Sequence, residues 1–144
     1  MSDDLVTSEV PLSDEVRDFL VMATTLYASG DADRIIETVF TEDAVWADHR
    51  PLLGVMANGW EQLRSYLRAT LDLLPDFRVS VHVLATHGDI YLARDTYEGH
   101  TVLGGGEAMM QWWIVDELRD GRLAREDIYE TEELARGEFE RRVG

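Results

Sequence analysis

The 144-residue sequence contains no cysteine, which excludes a disulfide framework, a thiolate metal site and a cysteine nucleophile. Positive charge is scarce, since 13 basic residues stand against 29 acidic ones and leave a formal charge of −16. Such a chain repels phosphate backbones and anionic lipid and has no basic patch to offset the repulsion, which argues against nucleic acid and membrane surfaces as partners. Long apolar runs are missing too: "FLVMA" and "WWIV" are far too short to span a bilayer. The opening "MSDDLVTSEV" lacks the basic start and apolar core of a secretory signal, so a soluble cytoplasmic protein is expected. With no internal repeat, low-complexity tract or linker, the chain reads as one domain over residues 1–144, its polar first 11 residues disordered. At this length a single core can bury roughly two thirds of the surface.

What is present is a change of period. "SDEVRDFLVMATTLYASGD" offers Ser13 as N-cap, acids in the first turn, apolar residues from Val16 to Tyr27 at helical spacing, and Gly30 as the stop. A short second helix carries Ile35, Ile36, Val39 and Phe40 on one stripe, and "TED" breaks it before the opening strand, "AVWADHR". A third helix starts at Asn58, with Glu61 completing a capping box, and stops at Pro75. From there the period is two. "FRVSVHVLA", "DIYLARDTYEGHT", "EAMMQWWIVDEL" and "RLAREDIYE" read as strands, and their short connections imply antiparallel neighbours. Thr131 then caps a closing helix. The order predicts an α+β fold in which helices gather on one face of a curved sheet.

This order resembles the SnoaL-like branch of the nuclear transport factor 2-like superfamily, whose relatives include ketosteroid isomerase, limonene epoxide hydrolase and polyketide cyclases. The landmarks are "ASGDADRIIETVFTEDAVWADHRP", "GWEQLRSYLRATLDLLPDFRV" and "DGRLAREDIYETEEL". The resemblance implies a cone-shaped, curved antiparallel sheet wrapped around the N-terminal helices. It leaves the reaction open, because such domains host isomerases, dehydratases, hydrolases, cyclases and plain binding modules.

The candidate site residues follow from strand parity and from that resemblance. In "AVWADHR", Trp46 and Asp48 share one face, and Val45, Ala47 and His49 the other. Asp48 falls where the resemblance implies a general base, and desolvation beside Trp46 would raise its pKa; the competing reading is a structural ion pair with Arg50. Near Ala23 the helix lacks the tyrosine that ketosteroid isomerase uses, which disfavours that mechanism. Tyr91, Ala93, Asp95 and Tyr97 are expected on the pocket face, with Asp95 as a polar centre or a cross-strand ion-pair partner. Glu126 and Ile128 are expected inward, Arg125 and Asp127 outward, subject to the parity of the last strand. His82 matches the position at which related lyases carry a histidine base, or is a core or rim residue. In "MMQWWIV", Met109, Gln111 and Trp113 share one face, and Met110, Trp112 and Ile114 the other. Gln111 and Trp113, with Trp46, Trp60, Tyr91 and Tyr97, are taken as ligand-binding residues, and Asp48, Asp95, Glu126 and His82 as catalytic ones. The four histidines are scattered singly, so no metal is expected, and no cofactor is required. The expectation is an enzyme acting by carboxylate acid–base chemistry on a small hydrophobic, polyketide- or terpenoid-like molecule, or else a non-catalytic ligand-binding or dimerisation module. A homodimer is expected through the outer sheet face, where Ile90, Leu92 and half of the Met–Trp stripe would otherwise be exposed.

Overall fold

In the computed structural model, which describes residues 5–51, 54–74, 76–102 and 104–144, local capping sets the first helices. The Ser13 hydroxyl accepts the Val16 N–H at 3.2 Å to open α1 (Asp14–Ser29), and Gly30 closes it in the left-handed region at φ 71°. Asp31 caps α2 (Ala32–Val39) through the Arg34 N–H. "TED" is not the break between helix and strand that was expected: α2 already ends at Val39, and β2 (Phe40–Asp48) takes in Phe40 and the tripeptide, with a register shift between Phe40 and Val45. After β3 (Met56–Asn58) comes α3 (Gly59–Leu73), whose capping differs from the expected box. The Asn58 side chain caps nothing; instead Gln62 Oε1 accepts the Asn58 N–H at 2.8 Å, and Gly59 enters the helix at φ 81°. The stop expected at Pro75 lies outside the described residues. None of the described helices is long and apolar enough to cross a membrane.

Four long strands follow, β4 (Arg78–His87), β5 (Ile90–His100), β6 (Glu107–Arg119) and β7 (Arg122–Tyr129), and then α4 (Glu132–Val143), capped by Thr131. Counting β1 (Val6–Ser8), the sheet has seven strands in the order β1-β4-β5-β6-β7-β2-β3. It is mixed rather than purely antiparallel. Hairpins make β4 to β7 antiparallel, but β1 pairs parallel with β4, and β2 pairs parallel with β7 across a long crossover, where no tight turn dictates direction. β1 also corrects the expected disorder of residues 1–11 at Val6–Ser8, since the strand docks beside Val81–Val83 and Glu9 N–H reaches the Val83 carbonyl at 2.9 Å.

The sheet buries both faces. Its inner face packs on α1, α2 and α3 through Phe19, Leu20, Ile35, Ile36, Leu63 and Val83. Its outer face carries a second cluster, in which Leu92 and Val115 meet Ala135 and Phe139 of α4, with Ile90 and Trp113 packed alongside. Ile90 and Leu92, on which the expected sheet-to-sheet dimer was argued, are therefore covered by the chain's own last helix. Of the Met–Trp stripe on that face, Met109 stays exposed.

Candidate functional site

The pleat of three central strands brings carboxyl groups to the inner face. On β5, Tyr91, Ala93, Asp95 and Tyr97 point inward while Leu92 points to α4, as the parity of the sequence implies. On β6, Trp112, Ile114 and Asp116 take the inner positions, and on β7, Glu126 and Ile128 do. Register then sets a row across four strands: Tyr91 lies opposite Asp116, Asp116 opposite Glu126, and Glu126 opposite Trp46 of β2. The Tyr91 hydroxyl donates to Asp116 Oδ2. The Asp116 and Glu126 carboxyls face each other across the β6–β7 pair, close enough to shift one another's titration, and two such acids are eased when one of them carries a proton. The Trp46 indole N–H faces Glu126 closely enough to favour its anion but falls short of full hydrogen-bond geometry.

Burial dominates the electrostatics of this row. It pushes Asp95 and Asp116 well above the usual carboxylate range, and the charge of Glu126 adds to the effect on both. Burial raises Glu126 as well, with the charge of Asp127 adding to it, while the neighbouring Asp116 carboxyl, the Trp46 N–H and the charge of Arg50 oppose the rise. Tyr27, Tyr91 and Tyr97 are driven well above their ordinary value, again chiefly by burial, so all three stay protonated. The environment therefore grades the acids. All three are pushed toward the protonated form, and Glu126 is the one whose shift its neighbours restrain most.

These groups border two adjoining hollows beneath the helices. One is apolar, with Ile36, Phe40, Leu63, Leu67 and Phe77 in its wall; the other holds Tyr91, Asp95 and Asp116. Tyr27, Tyr97 and Glu126 border both. Each leaves about 30 Å³ of room for a water-sized sphere, the space of about two waters.

Asp48 is placed differently. It is buried, but the Arg50 guanidinium grips both of its oxygens, with Nε at 2.9 Å and a terminal nitrogen at 2.6 Å, and the Arg50 backbone N–H adds a bond at 3.0 Å. Arg50 in turn lies over the Trp112 ring, 4.2 Å from its centroid, while Trp46 meets Tyr66 edge-on at 4.1 Å. Of the two readings of Asp48, this geometry is that of the ion pair, set outside both hollows.

Parity accounts for the other differences. His82 is not brought to the carboxyls: Val81 and Val83 occupy the inner face of β4, and His82 bonds Thr7 at 2.6 Å and Glu9 at 2.9 Å beside β1. Gln111 and Trp113 face outward, Gln111 bonding the Thr96 hydroxyl at 3.1 Å and Trp113 packing beside α4, because pairing of Asp95 with Trp112 turns Trp112 inward instead. Trp60 packs against the core and donates its indole N–H to the Phe40 carbonyl at 3.0 Å, without bordering a hollow. Two contributors were missed from sequence. Asp116 had a signal, an acid at the apolar parity of Trp112 and Ile114; Tyr27 lies one helical turn beyond Ala23, where a tyrosine was sought. The sequence also has no lysine, so no Schiff base can form here. Among the described residues no group of three or more His, Asp or Glu side chains has the arrangement of a metal site.

Comparison with known proteins bears on the fold and the family. No curated protein matches the sequence. Among solved structures, an epoxide hydrolase/cyclase-like enzyme, SalBIII, of pyran ring formation in the polyether salinomycin superimposes with a TM-score of 0.68 at 17% identity, over 91% of this chain and 95% of its own. A putative isomerase from Bacillus subtilis gives 0.67 at 20% identity, over 81% and 86%. A protein of ketosteroid isomerase-like fold from Catenulispora acidiphila DSM 44928, in complex with trimethylamine, gives 0.65 at 16% identity, over 83% and 86%. At these identities the likeness is one of fold. Residues 16–126 match the SnoaL-like domain, and with the mixed seven-stranded sheet and its packed helices just described the chain belongs to that family.

Proposed function

We propose that the protein is a small-molecule enzyme that works by general acid–base catalysis from its buried carboxyls, on a small, largely apolar molecule of polyketide or terpenoid character. The observation that carries this reading is the row Tyr91–Asp116–Glu126, with Asp95 beside it, in a lining otherwise made of aromatic and aliphatic side chains and two threonines, Thr24 and Thr70. Structural burial alone is a poor reason to keep three acids there, because each costs stability unless it is paired. Glu126, whose upward shift is opposed by Trp46 and by the charge of Arg50, is the candidate base; Asp95 and Asp116, which burial and the charge of Glu126 push furthest toward the protonated form, are the candidate acids. A cyclisation, isomerisation, dehydration or hydrolysis needs one group to take a proton and another to return it, and no cofactor has to be invoked. The salinomycin ring-forming relative is one precedent for such chemistry on this fold, and the trimethylamine complex is one for small-molecule binding.

The test is a thermal-shift screen of hydrophobic metabolites followed by product analysis of every binder, with wild type beside Glu126→Gln. Turnover that falls by about a hundredfold or more in the variant, with binding retained, is the expected result. Ligands that bind both proteins and are never converted would make the domain a binding module instead.

A further inference from the structure

The hollow that holds Asp95 and Asp116 has an unusual charge balance. Acids reach it from three strands, Asp95 on β5, Asp116 on β6 and Glu126 on β7, and among the described residues its lining contains no arginine or histidine. The guanidinium that acts on Glu126 belongs to Arg50, and it is already held by Asp48. A second observation is independent of the acid count. Asp95 is 4% exposed, and its Oδ1 has no hydrogen-bond partner among the described residues; Asp116 Oδ1 has none either. Two buried acceptor atoms thus line a space that a donor could fill.

We infer that the interior takes a protonated primary alkylamine, its ammonium head among Asp95, Asp116 and Glu126 and its alkyl chain in the adjoining apolar hollow past Tyr27 and Tyr97. The inference rests on the reading of this interior as the ligand site and adds the chemical class of the ligand. Size supports a primary amine, since about 30 Å³ suits a head of one or two heavy atoms and the neighbouring hollow of Ile36, Leu63 and Phe77 suits a short chain. Donor count supports it too, because an ammonium offers three N–H groups to three carboxyls, whereas an alcohol offers one. Tyr27 and Tyr97, which border both hollows, present aromatic rings where head and chain would meet. An anionic ligand would meet three acids and no available base.

Binding is then linked to protons. The groups that face the cluster are Tyr91, Asp95 and Tyr97 from β5, Asp116 from β6, Glu126 from β7 and Tyr27 from α1; α2 and α3 add no titratable side chain to the lining, and Asp127 acts on Glu126 from the opposite face of β7. Burial keeps protons on the acids, so the arriving ammonium displaces one and takes its place as the compensating positive charge. Affinity therefore rises with pH until the cluster is ionised.

The test titrates the protein with n-butylammonium chloride and with 1-butanol, the neutral counterpart of similar length, at constant ionic strength with sodium chloride. Isothermal calorimetry in two buffers of different ionisation enthalpy counts released protons, and ring NMR signals of Tyr27 and Tyr97 locate binding in the interior. The expected result is binding of the amine about tenfold or more tighter than the alcohol at about pH 8, with proton release, and loss of that preference in Asp95→Asn. Asp116→Asn, checked by circular dichroism, is the second variant if Asp95→Asn does not fold. Equal binding of amine and alcohol at the interior rings would overturn the cation inference and leave the interior site standing. If neither ligand perturbs those rings, the inference fails together with the interior-site reading. Amine binding unaccompanied by ring shifts is surface attraction to an acidic protein and also overturns it.

Discussion

Glu126 and Asp127 are consecutive residues of β7, both buried, and they have opposite fates. Glu126 points inward to a cluster of acids, and burial leaves its pKa raised. Asp127 points outward under α4, where burial also opposes its charge, but hydrogen bonds from Arg125 and His49 and the charge of Arg142 outweigh burial and hold it below the usual carboxylate range. Arg125 grips it at 2.8 and 3.1 Å, His49 reaches it at 2.8 Å while stacking on Tyr129, and Arg142 brings in the last turn of α4, itself tied to Glu138 at 2.7 Å. Burial by itself does not decide the state of a carboxyl; the sign of its neighbours does. One face of the strand uses an acid to fasten a helix, and the other keeps acids short of partners.

The comparison breaks most visibly at Asp127. Asp127→Ala removes the acid that Arg125, His49 and Arg142 share and leaves Arg142 only its Glu138 partner within α4 and a longer contact to Glu117, and it should lower unfolding free energy in urea by about 3 kcal/mol, with α4 losing hydrogen-exchange protection first. A loss below about 1 kcal/mol would mean that the network is no more than a set of solvent-screened surface pairs.

Asp48 is the intermediate case, a buried acid on the inner side that has a partner. Asp48→Asn removes the charge that Arg50 chelates and should cost about 2 kcal/mol in the same assay. An unchanged or raised stability would count against the structural ion pair and return Asp48 to the list of acids retained for chemistry.

The smallest expected effect has the opposite sign. An acid whose folded pKa is raised contributes stability that is complete below its unfolded value of about 4 and is lost as pH rises through the folded value. Asp127, whose folded pKa is depressed, contributes stability present above about pH 4 and lost as pH falls through its folded value. Wild type should therefore be most stable in mildly acidic solution and weaken toward pH 8, relief of repulsion among 29 acidic residues adding to the trend. Asp116→Asn should flatten the decline and stand about 1 kcal/mol above wild type at about pH 8. Urea midpoints across that range check both statements, and a wild-type maximum at alkaline pH would show that the inner acids are paired after all.

Much of this molecule was determined locally. Ser13, Gly30 and Thr131 mark helix ends because a hydroxyl or a left-handed glycine satisfies backbone groups whatever the rest of the fold does. The inward set Tyr91, Asp95, Tyr97, Glu126 and Ile128 was legible because strand alternation needs only one reference point, supplied by the turns before β5 and β7. Where two parities were equally apolar, as in "MMQWWIV", alternation could not say which tryptophan turned inward; the pairing of Asp95 with Trp112 decided it. The docking of Val6–Ser8 and the parallel pairing of β2 with β7 likewise depended on partners more than 70 residues away. So did the chemistry. Asp48, Asp116, Glu126 and Asp127 are all acids in strands, and their differences arise from what the fold packs against them: a guanidinium two residues on, a neighbouring acid, or a terminal helix. Helix caps and periodicity act within a few residues, whereas a carboxyl responds to every charge and dipole within several ångströms, and only the tertiary structure determines which those are.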